Sequence, residues 1–256
     1  KQSESKSTNS RYKGKGPNKD NRQKRGPPLS PAQQRRKAAE ERISNWIPKT
    51  ELGRKVVSGE ITTIQDALAT GLPLREAPIV DLLITDLMEE VIDIHMVQRM
   101  SDSGRRVRFA VTTIVGNGDG VVGIGRVSGK LVRPTITKAL DRAKLNIIEI
   151  RRGSGSWECS TAVPNSLPFE VSGRTGSTRV RIKPAPPGVG LVTNQVGKIM
   201  LKLAGVEDAW SFTRGQTQTI YNFASAMFKA LEKTRSTKLL PGQKEFHNMI
   251  KGVKQE

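Results

Sequence analysis

The first segment that could perform chemistry is the glycine-rich run 116–125, where Gly118, Gly120 and Gly123 match the GxGxxG fingerprint of dinucleotide-binding proteins. In that fingerprint the glycines join a strand to a helix, and N–H groups at the start of the helix bind the pyrophosphate. Here the residues from Val121 to Val127 are predicted to form a strand instead. We therefore interpret the run as a tight turn whose glycines also let another backbone approach closely. A nucleotide-dependent enzyme that uses residues 116–125 is the alternative.

Side chains suited to metal binding or nucleophilic catalysis are scarce. The chain has one cysteine, Cys159, and two histidines, His95 and His247, which lie far apart in the sequence. A single cysteine cannot form an intramolecular disulfide or a cysteine-based zinc cluster. The carboxylates of Asp81, Asp86, Glu89 and Glu90 are spaced as surface groups rather than as a paired acid and base. We therefore predict no catalytic residues, no cofactor and no metal site.

Basic residues are the most informative class, because they outnumber acidic residues by 43 to 24 and give a formal net charge of +19. Nearly half of the excess lies in residues 1–45, where 13 basic and 4 acidic residues give +9. This segment is rich in Ser, Asn, Gly and Pro and has too little apolar surface to offset the entropy cost of ordering. We predict a disordered basic extension that binds nucleic acid. A tail that serves only solubility is the alternative.

Within the folded part, basic residues cluster with few acidic neighbours. Such clusters neutralise phosphates and release counterions, so binding should weaken steeply as salt rises. With three Trp, two Tyr and six Phe in the chain, we expect backbone and shape to contribute more than base stacking. Trp46, Trp157 and Trp210 could stack on bases, although isolated tryptophans more often fill hydrophobic cores. The candidate RNA-binding residues are Arg105, Arg106, Arg108, Lys130, Arg133, Arg151, Arg152, Arg174, Arg179 and Arg214.

Hydrophobic alternation predicts a β-hairpin that carries the first of these clusters. Its first strand runs from Val91 to Met100, residues 101–104 form the turn, and a second strand follows. Each strand is expected to bury one face and to expose the other. The residues expected inward are Ile92, Ile94, Met96, Met100, Val107, Phe109, Val111, Thr113 and Val115, and those expected outward are Asp93, His95, Arg99, Arg106, Arg108 and Thr112.

The other elements predict a mixed α+β fold. Short helices are expected over 61–69 and after Pro78, and a longer helix is expected to begin near Pro134. Beyond the predicted linker 151–156, strands are expected at 170–171, 178–183 and 209–213, and helices at 195–203 and 217–231. The sequence shows neither a membrane-spanning apolar stretch nor a secretory signal, so we expect a cytoplasmic protein.

Several short motifs resemble those of the small-subunit ribosomal protein five family. The match favours its archaeal and eukaryotic form over the bacterial one, and an archaeal member over a eukaryotic one. The motifs cover about residues 46 to 235 in order. They are WIPKTELGR (46–54), GRRVRF (104–109), GNGDGVVGIG (116–125), GK (129–130), AKLN (143–146), VSGRTGS (171–177), KPAPPG (183–188) and TRGQ (213–216).

The resemblance implies two small domains. The first is similar to double-stranded-RNA-binding domains and has three antiparallel strands packed on helices. The second is an α/β domain with a left-handed βαβ crossover, which departs from the usual right-handed rule. Together with the composition of the segments outside the resemblance, the expected boundaries are a basic N-terminal extension (1–45), the RNA-binding-like domain (46–150), a linker (151–156), the C-terminal domain (157–235) and a C-terminal tail (236–256).

The resemblance also implies a structural constituent of the small ribosomal subunit. Such a protein binds small-subunit rRNA in the body near the neck, close to the path by which mRNA enters, and contributes to assembly and decoding accuracy. The implied neighbours are ribosomal proteins three, four and eight, and no homo-oligomer is expected. A free RNA chaperone or processing factor is a further alternative.

Family motifs assign some of the candidate residues. Arg105, Arg106 and Arg108 correspond to the hairpin that reaches rRNA, and Lys130 and Arg133 lie near the start of a helix. Residues 173–177 and Arg214 match motifs that the resemblance does not divide between RNA and protein contacts. The hairpin tip, residues 100–103, differs from bacterial members because it carries an acidic residue where those are basic.

Overall fold

The computed structural model describes residues 46–156, 164–236 and 249–252. The predicted N-terminal extension, Trp157, Cys159, His247 and most of the predicted C-terminal tail lie outside these described residues. In the described parts of the chain, no helix combines the length and apolar character needed to cross a membrane.

Three short helices precede the first sheet: α1 (Glu51–Val57), α2 (Ile64–Ala69) and α3 (Ala77–Leu83). Threonine side chains cap the first two, because Thr50 Oγ1 and Thr63 Oγ1 accept hydrogen bonds of 3.1 and 3.2 Å from backbone N–H groups of the first turn. The helix predicted over 61–69 therefore begins at residue 64. Pro78 lies in the first turn of α3, where its missing N–H costs no hydrogen bond.

The next elements are β1 (Met88–Ser101), β2 (Gly104–Gly116), β3 (Val121–Gly129), α4 (Val132–Leu145) and β4 (Ile147–Glu149). The four strands form an antiparallel sheet of order β1-β2-β3-β4, here called the first sheet. Helix α4 packs against β2 and β3. The predicted hairpin, third strand and following helix are confirmed.

Helix α4 lies close against the first sheet because two residues of β3 have no side chain. A Cβ atom on Gly123 would overlap the carbonyl oxygen of Ala143, and one on Gly125 would overlap that of Ala139. These distances confirm the prediction that glycine allows a second backbone to approach closely at this position.

The chain continues with β5 (Arg151–Arg152), β6 (Val171–Thr175), β7 (Thr178–Pro184), β8 (Leu191–Val192), α5 (Gln195–Leu203), β9 (Ala209–Arg214) and α6 (Ile220–Ser236). Four of these strands form the second sheet, of order β6-β7-β9-β8. Strands β8 and β9 run parallel and are joined through α5, whereas the other pairs are antiparallel. The expected α+β fold with a C-terminal α/β region is confirmed.

The centre of the first sheet is covered on both faces. Val115 and Val121 pack in a cluster with the N-terminal helices and α4, and Ile114 and Val122 pack in a cluster with α5 and α6. The predicted outward position of Thr112 is therefore wrong, because its side chain is 0% exposed. Alternation shows which residues share a face, but the second covering layer comes from the distant C-terminal half of the chain.

The distal half of the hairpin lies beyond these covering layers. Ile94, Met96 and Met100 are 45%, 54% and 69% exposed, and the arginines of the second strand are also exposed. The prediction that one face of the distal strands is buried is therefore wrong. The hairpin is a two-stranded projection with solvent on both sides.

The predicted linker begins with a strand. β5 pairs antiparallel with β10 (Ile250–Lys251), close to the end of the chain. The N–H of Gly252 donates to the carbonyl oxygen of Ile150 at 3.1 Å and extends this pairing. The short C-terminal segment therefore packs at the point where the chain leaves the first sheet.

Candidate nucleic-acid interface

The hairpin places three arginines on one exposed face. Arg99 lies opposite Arg106 in the register, and Arg108 follows two positions later on the same strand. Residues opposite each other, and residues two positions apart, point to the same side of an antiparallel ribbon. Arg99, Arg106 and Arg108 therefore form the hairpin face, and Arg105 points to the opposite side. All four side chains are exposed.

Two further candidates lie where β3 leads into α4. Lys130 precedes the helix, Arg133 lies in its first turn, and both are exposed. Nearby on β3, the exposed Arg126 holds its guanidinium carbon 4.4 Å from the ring centroid of Tyr221 in α6. The sequence analysis did not select Arg126, although its outward position follows from alternation along β3.

The second sheet brings three selected arginines side by side. Arg174 on β6 lies opposite Arg179 on β7, which in turn lies opposite Arg214 on β9. All three are exposed. Arg174 and Arg179 belong to one hairpin, whereas strand pairing brings Arg214 next to them from a distant part of the sequence.

The adjacent positions of the same sheet add two cations and two aromatic rings. Arg181 lies opposite Phe212 and Lys183 lies opposite Trp210. The Nζ atom of Lys183 is 5.5 Å from the centroid of the Phe212 ring. Phe212 was missed in the sequence analysis, although it lies between Trp210 and Arg214 at every second position of β9. The open face is defined here by Arg174, Arg179, Arg181, Lys183, Trp210, Phe212 and Arg214.

The two linker arginines, Arg151 and Arg152, are less exposed than the arginines of these surfaces. Arg152 is 4% exposed, and its guanidinium pairs with Asp119 and donates to the carbonyl oxygens of Gly205 and Gly252, each at 3.3 Å. Its donors therefore hold the β2–β3 turn, the end of α5 and the C-terminal segment together. Arg151 is half-buried, and its backbone N–H donates to Thr234 Oγ1 at 3.2 Å.

The glycine-rich turn uses its N–H groups inside the protein. Gly118 and Gly120 adopt φ angles of 71° and 91°, which residues with a Cβ atom rarely adopt. Their N–H groups donate to the carbonyl oxygens of Leu203 and Ala204 at 2.9 and 3.1 Å, at the C-terminal end of α5. A strand follows the turn, so the helix start that a pyrophosphate needs is not there. The prediction of a tight turn is confirmed.

Known proteins match this chain closely. Two family models match: Ribosomal protein S5, N-terminal domain, over residues 87–151, and Ribosomal protein S5, C-terminal domain, over residues 173–245. The small ribosomal subunit protein uS5 of Picrophilus torridus is 56% identical over 196 residues, which are 77% of this chain and 89% of the relative. The chain belongs to the ribosomal protein S5 family.

Other S5 relatives support the same assignment. The uS5 protein of Thermoplasma acidophilum is 52% identical over 197 residues, or 77% of this chain and 89% of the relative. That of Methanocaldococcus jannaschii is 48% identical over 210 residues, or 82% of this chain and 97% of the relative. These proteins come from archaea, so the resemblance to the archaeal type of S5 is confirmed.

In this S5 chain a buried lysine anchors the base of the hairpin. Lys144 in α4 is 5% exposed, and its Nζ atom lies 2.7 Å from Asp81 Oδ1 of α3 and 3.0 Å from Glu89 Oε1 of β1. Burial lowers the pKa of Lys144, but the hydrogen bonds and charges of the two carboxylates outweigh it and hold the pKa above its ordinary value. One ammonium therefore joins two helices to the strand that carries the hairpin face.

Within the described residues of this S5 chain, no cluster of three His, Cys, Asp or Glu side chains is arranged to hold a metal ion. His95 is one of the two histidines considered in the sequence. Its Nδ1 atom lies 2.7 Å from Asp93 Oδ2 on the same strand.

Proposed function

We propose that this chain is a structural constituent of the small ribosomal subunit, located with it in the cytoplasm, and that it acts by binding rRNA. The observation that carries the proposal is the 56% identity to a protein named small ribosomal subunit protein uS5, over 89% of that protein's length. The exposed basic surfaces support an RNA partner, because cationic side chains that neutralise phosphates release counterions on binding.

The proposed rRNA contacts come from three surfaces. They are the hairpin face with Arg105 on its other side, the junction at Lys130 and Arg133, and the open face. The half-buried Arg151 stays a proposed contact, whereas the burial of Arg152 supports a structural role for that side chain. The proposed division into domains 46–150 and 157–235 assigns the first two surfaces to one domain and the open face to the other.

The proposed location is the body of the subunit near its neck, beside the path by which mRNA enters. Ribosomal proteins three, four and eight are the proposed neighbours, and a contribution to assembly and decoding accuracy follows from that location. These neighbours rest on the family resemblance. A map of the assembled particle would test each of them directly.

We also propose that the chain has no catalytic activity. The turn that matches the dinucleotide fingerprint donates its N–H groups to the end of α5, so they are not available to a pyrophosphate. Isothermal titration of the full chain with NAD or ATP should give no measurable heat of binding. Micromolar binding that a substitution in residues 116–125 abolishes would restore the enzyme alternative.

Co-sedimentation separates a ribosomal constituent from a free RNA chaperone. The full chain should sediment with small subunits at moderate salt and dissociate only at high salt, because many phosphate contacts must exchange with counterions. A chaperone would dissociate from mature subunits at moderate salt and would associate with precursor particles instead.

Replacing both Arg106 and Arg108 with Ala should weaken binding to small-subunit rRNA by a few kcal/mol at most, about 1 kcal/mol for each phosphate contact. The plot of log affinity against log salt has a negative slope, and its magnitude should decrease by about two because two phosphate contacts are lost. The side chains are exposed, so the unfolding midpoint should not change. Filter binding across a salt series measures the affinity and the slope.

The matched control is the double substitution of Lys198 and Lys202 with Ala, which removes two exposed charges from α5. It should leave the slope close to that of the unmodified chain. If the hairpin variant shows the same slope as this control, Arg106 and Arg108 do not contact phosphate.

A further inference from the structure

We propose that the open face of the second sheet binds a single-stranded segment of RNA, with phosphates held by its arginines and one base stacked on Phe212. The inference rests on the proposed rRNA-binding function and adds a ligand class to this sheet. The hairpin face has no exposed Phe, Tyr or Trp side chain, so the two surfaces should prefer different RNA structures.

The open face is the uncovered side of a sheet with one buried side. Val180, Ile182 and Ala209 point to the other side and are at most 1% exposed, because α6 covers it. On β7 the alternate positions are exposed or half-buried, as the pleat of a strand requires, and on β9 the residues from Phe212 to Arg214 are all exposed. The face is formed by paired strands, so its side chains are held at fixed spacings before a ligand binds.

The charge of this face calls for an anionic ligand. Arg174, Arg179 and Arg214 lie directly opposite one another on three adjacent strands, an arrangement that is unfavourable between like charges. In the part of the chain that the structure describes, no carboxylate forms a salt bridge with any of these three. A row of phosphates would remove the repulsion.

One carboxylate does lie at the other end of the face. Glu170 Oε1 lies 3.0 Å from Arg181 Nε, and Glu170 Oε2 lies 3.6 Å from Lys183 Nζ. All three side chains are exposed. The pairing lowers the net charge beside Phe212, whereas no carboxylate of the described residues forms an ion pair with the row of three arginines. The face therefore has a basic row next to a less charged area that contains the aromatic rings.

Phe212 indicates the kind of nucleic acid. Its side chain is 58% exposed, and it lies between Lys183 and the arginine row with the half-buried Trp210 next to it along β9. Bases inside a duplex are stacked on one another and cannot reach such a ring, whereas bases in loops and bulges can. Aromatic rings beside a basic groove are typical of sites for single-stranded nucleic acid.

The composition of the face favours RNA over a protein ligand. Arginines and aromatic rings also occur in protein–protein interfaces, but among the described residues the five cations of this face have one carboxylate partner, that of Glu170, so the face carries a large uncompensated positive charge. A protein partner would have to supply several carboxylates in a row to match it. A single-stranded RNA supplies the charges along its own backbone and a base for the ring.

The test compares a fluorescent 12-nucleotide oligouridine with a blunt RNA duplex of 16 base pairs, using the full chain at constant salt. The substitution Phe212→Ala should weaken oligouridine binding about tenfold and leave duplex binding unchanged. The substitution Phe212→Trp should restore it, since stacking needs only an aromatic ring. Replacing Arg174, Arg179 and Arg214 together with Ala should lower the salt slope for oligouridine by about two, given about 0.7 per phosphate on single strands.

The control removes the same number of charges elsewhere, by substituting Ala for Lys198, Lys202 and Lys229, which are exposed on α5 and α6. It should change the oligouridine slope much less. The proposal is overturned if Phe212→Ala weakens both RNAs equally or neither. It is also overturned if Phe212→Ala leaves RNA binding intact but prevents a neighbouring protein from joining the assembled subunit, because the face would then be a protein interface.

The hairpin variant distinguishes this inference from the general function. If Arg106→Ala with Arg108→Ala weakens duplex binding while the open-face variants have no effect, RNA binding stands and only the single-stranded site fails. If neither set of variants changes the affinity for any RNA, the proposed rRNA contacts fail as well.

Discussion

Replacing Lys144 with Met should lower the free energy of unfolding by about 3 to 5 kcal/mol, because it leaves a buried carboxylate without its partner. The side chain of Asp81 is only 11% exposed and would keep its charge in a poorly hydrated environment. Glu89 is more exposed and would be rehydrated at lower cost. Urea denaturation of the full chain, followed by far-ultraviolet circular dichroism, measures the change.

A double variant tests whether the unpaired charge of Asp81 causes this loss of stability. Adding Asp81→Leu to Lys144→Met should recover much of the lost stability, because the unpaired charge is removed and apolar groups replace the ion pair. A loss of less than 1 kcal/mol in the single variant would contradict the assigned role of Lys144. The assigned role would also be contradicted if the stability lost by the double variant equalled the sum of the losses of the two single variants.

The same network makes the stability sensitive to alkaline pH. The folded-state pKa of Lys144 is raised above its value in the unfolded chain, so the ammonium stabilises the fold fully below about pH 10. That contribution is lost as the pH rises through the folded-state pKa. The difference in stability between the unmodified chain and Lys144→Met should therefore shrink above that pH.

Replacing Gly125 with Ala should also be strongly destabilising, by about 3 kcal/mol. The new Cβ would overlap the carbonyl oxygen of Ala139 and the backbone of Ala143, which cannot move without shifting α4 on the sheet. Shortening a side chain of α4 cannot relieve the overlap, so Ala139→Gly should not restore stability. Thermal unfolding of the full chain measures both variants.

The control for this prediction is Gly59→Ala. Gly59 has a φ of 81°, and a Cβ there would meet no atom within 4 Å, so only backbone strain of about 1 kcal/mol is expected. Equal losses for Gly125→Ala and Gly59→Ala would show that α4 adjusts freely and that close approach is not the reason for glycine in β3.

The local pattern of the sequence predicted the hairpin well and its burial poorly. Alternation correctly placed Arg106 and Arg108 on one face, because the side-chain period of a strand follows from backbone geometry alone. It also placed Ile94 and Met100 on a buried face, and they are exposed because the covering layers do not extend that far. Burial depends on what packs against a strand, and that is a property of the whole chain.

For the glycine-rich run, too, the sequence predicted the local structure but not the long-range contacts. Its spacing, followed by a strand, indicated a turn and a close backbone approach, and both are present. The sequence did not indicate that the N–H groups of the turn bind the end of α5, more than eighty positions later. Contacts across that distance arise only when both halves of the chain pack on the first sheet.

By itself the sequence determined the family, the α+β class, the excess of positive charge and the segments that carry it. These properties are local, since motifs, periodicity and composition are read along the chain. The tertiary structure decided how the basic residues are used. It buried Arg152 among three carbonyl and carboxylate partners, and it aligned Arg174, Arg179 and Arg214 beside Phe212 on one exposed sheet. Strand pairing brings distant positions together, and the net charge of a sequence does not show which basic side chains become neighbours in the fold.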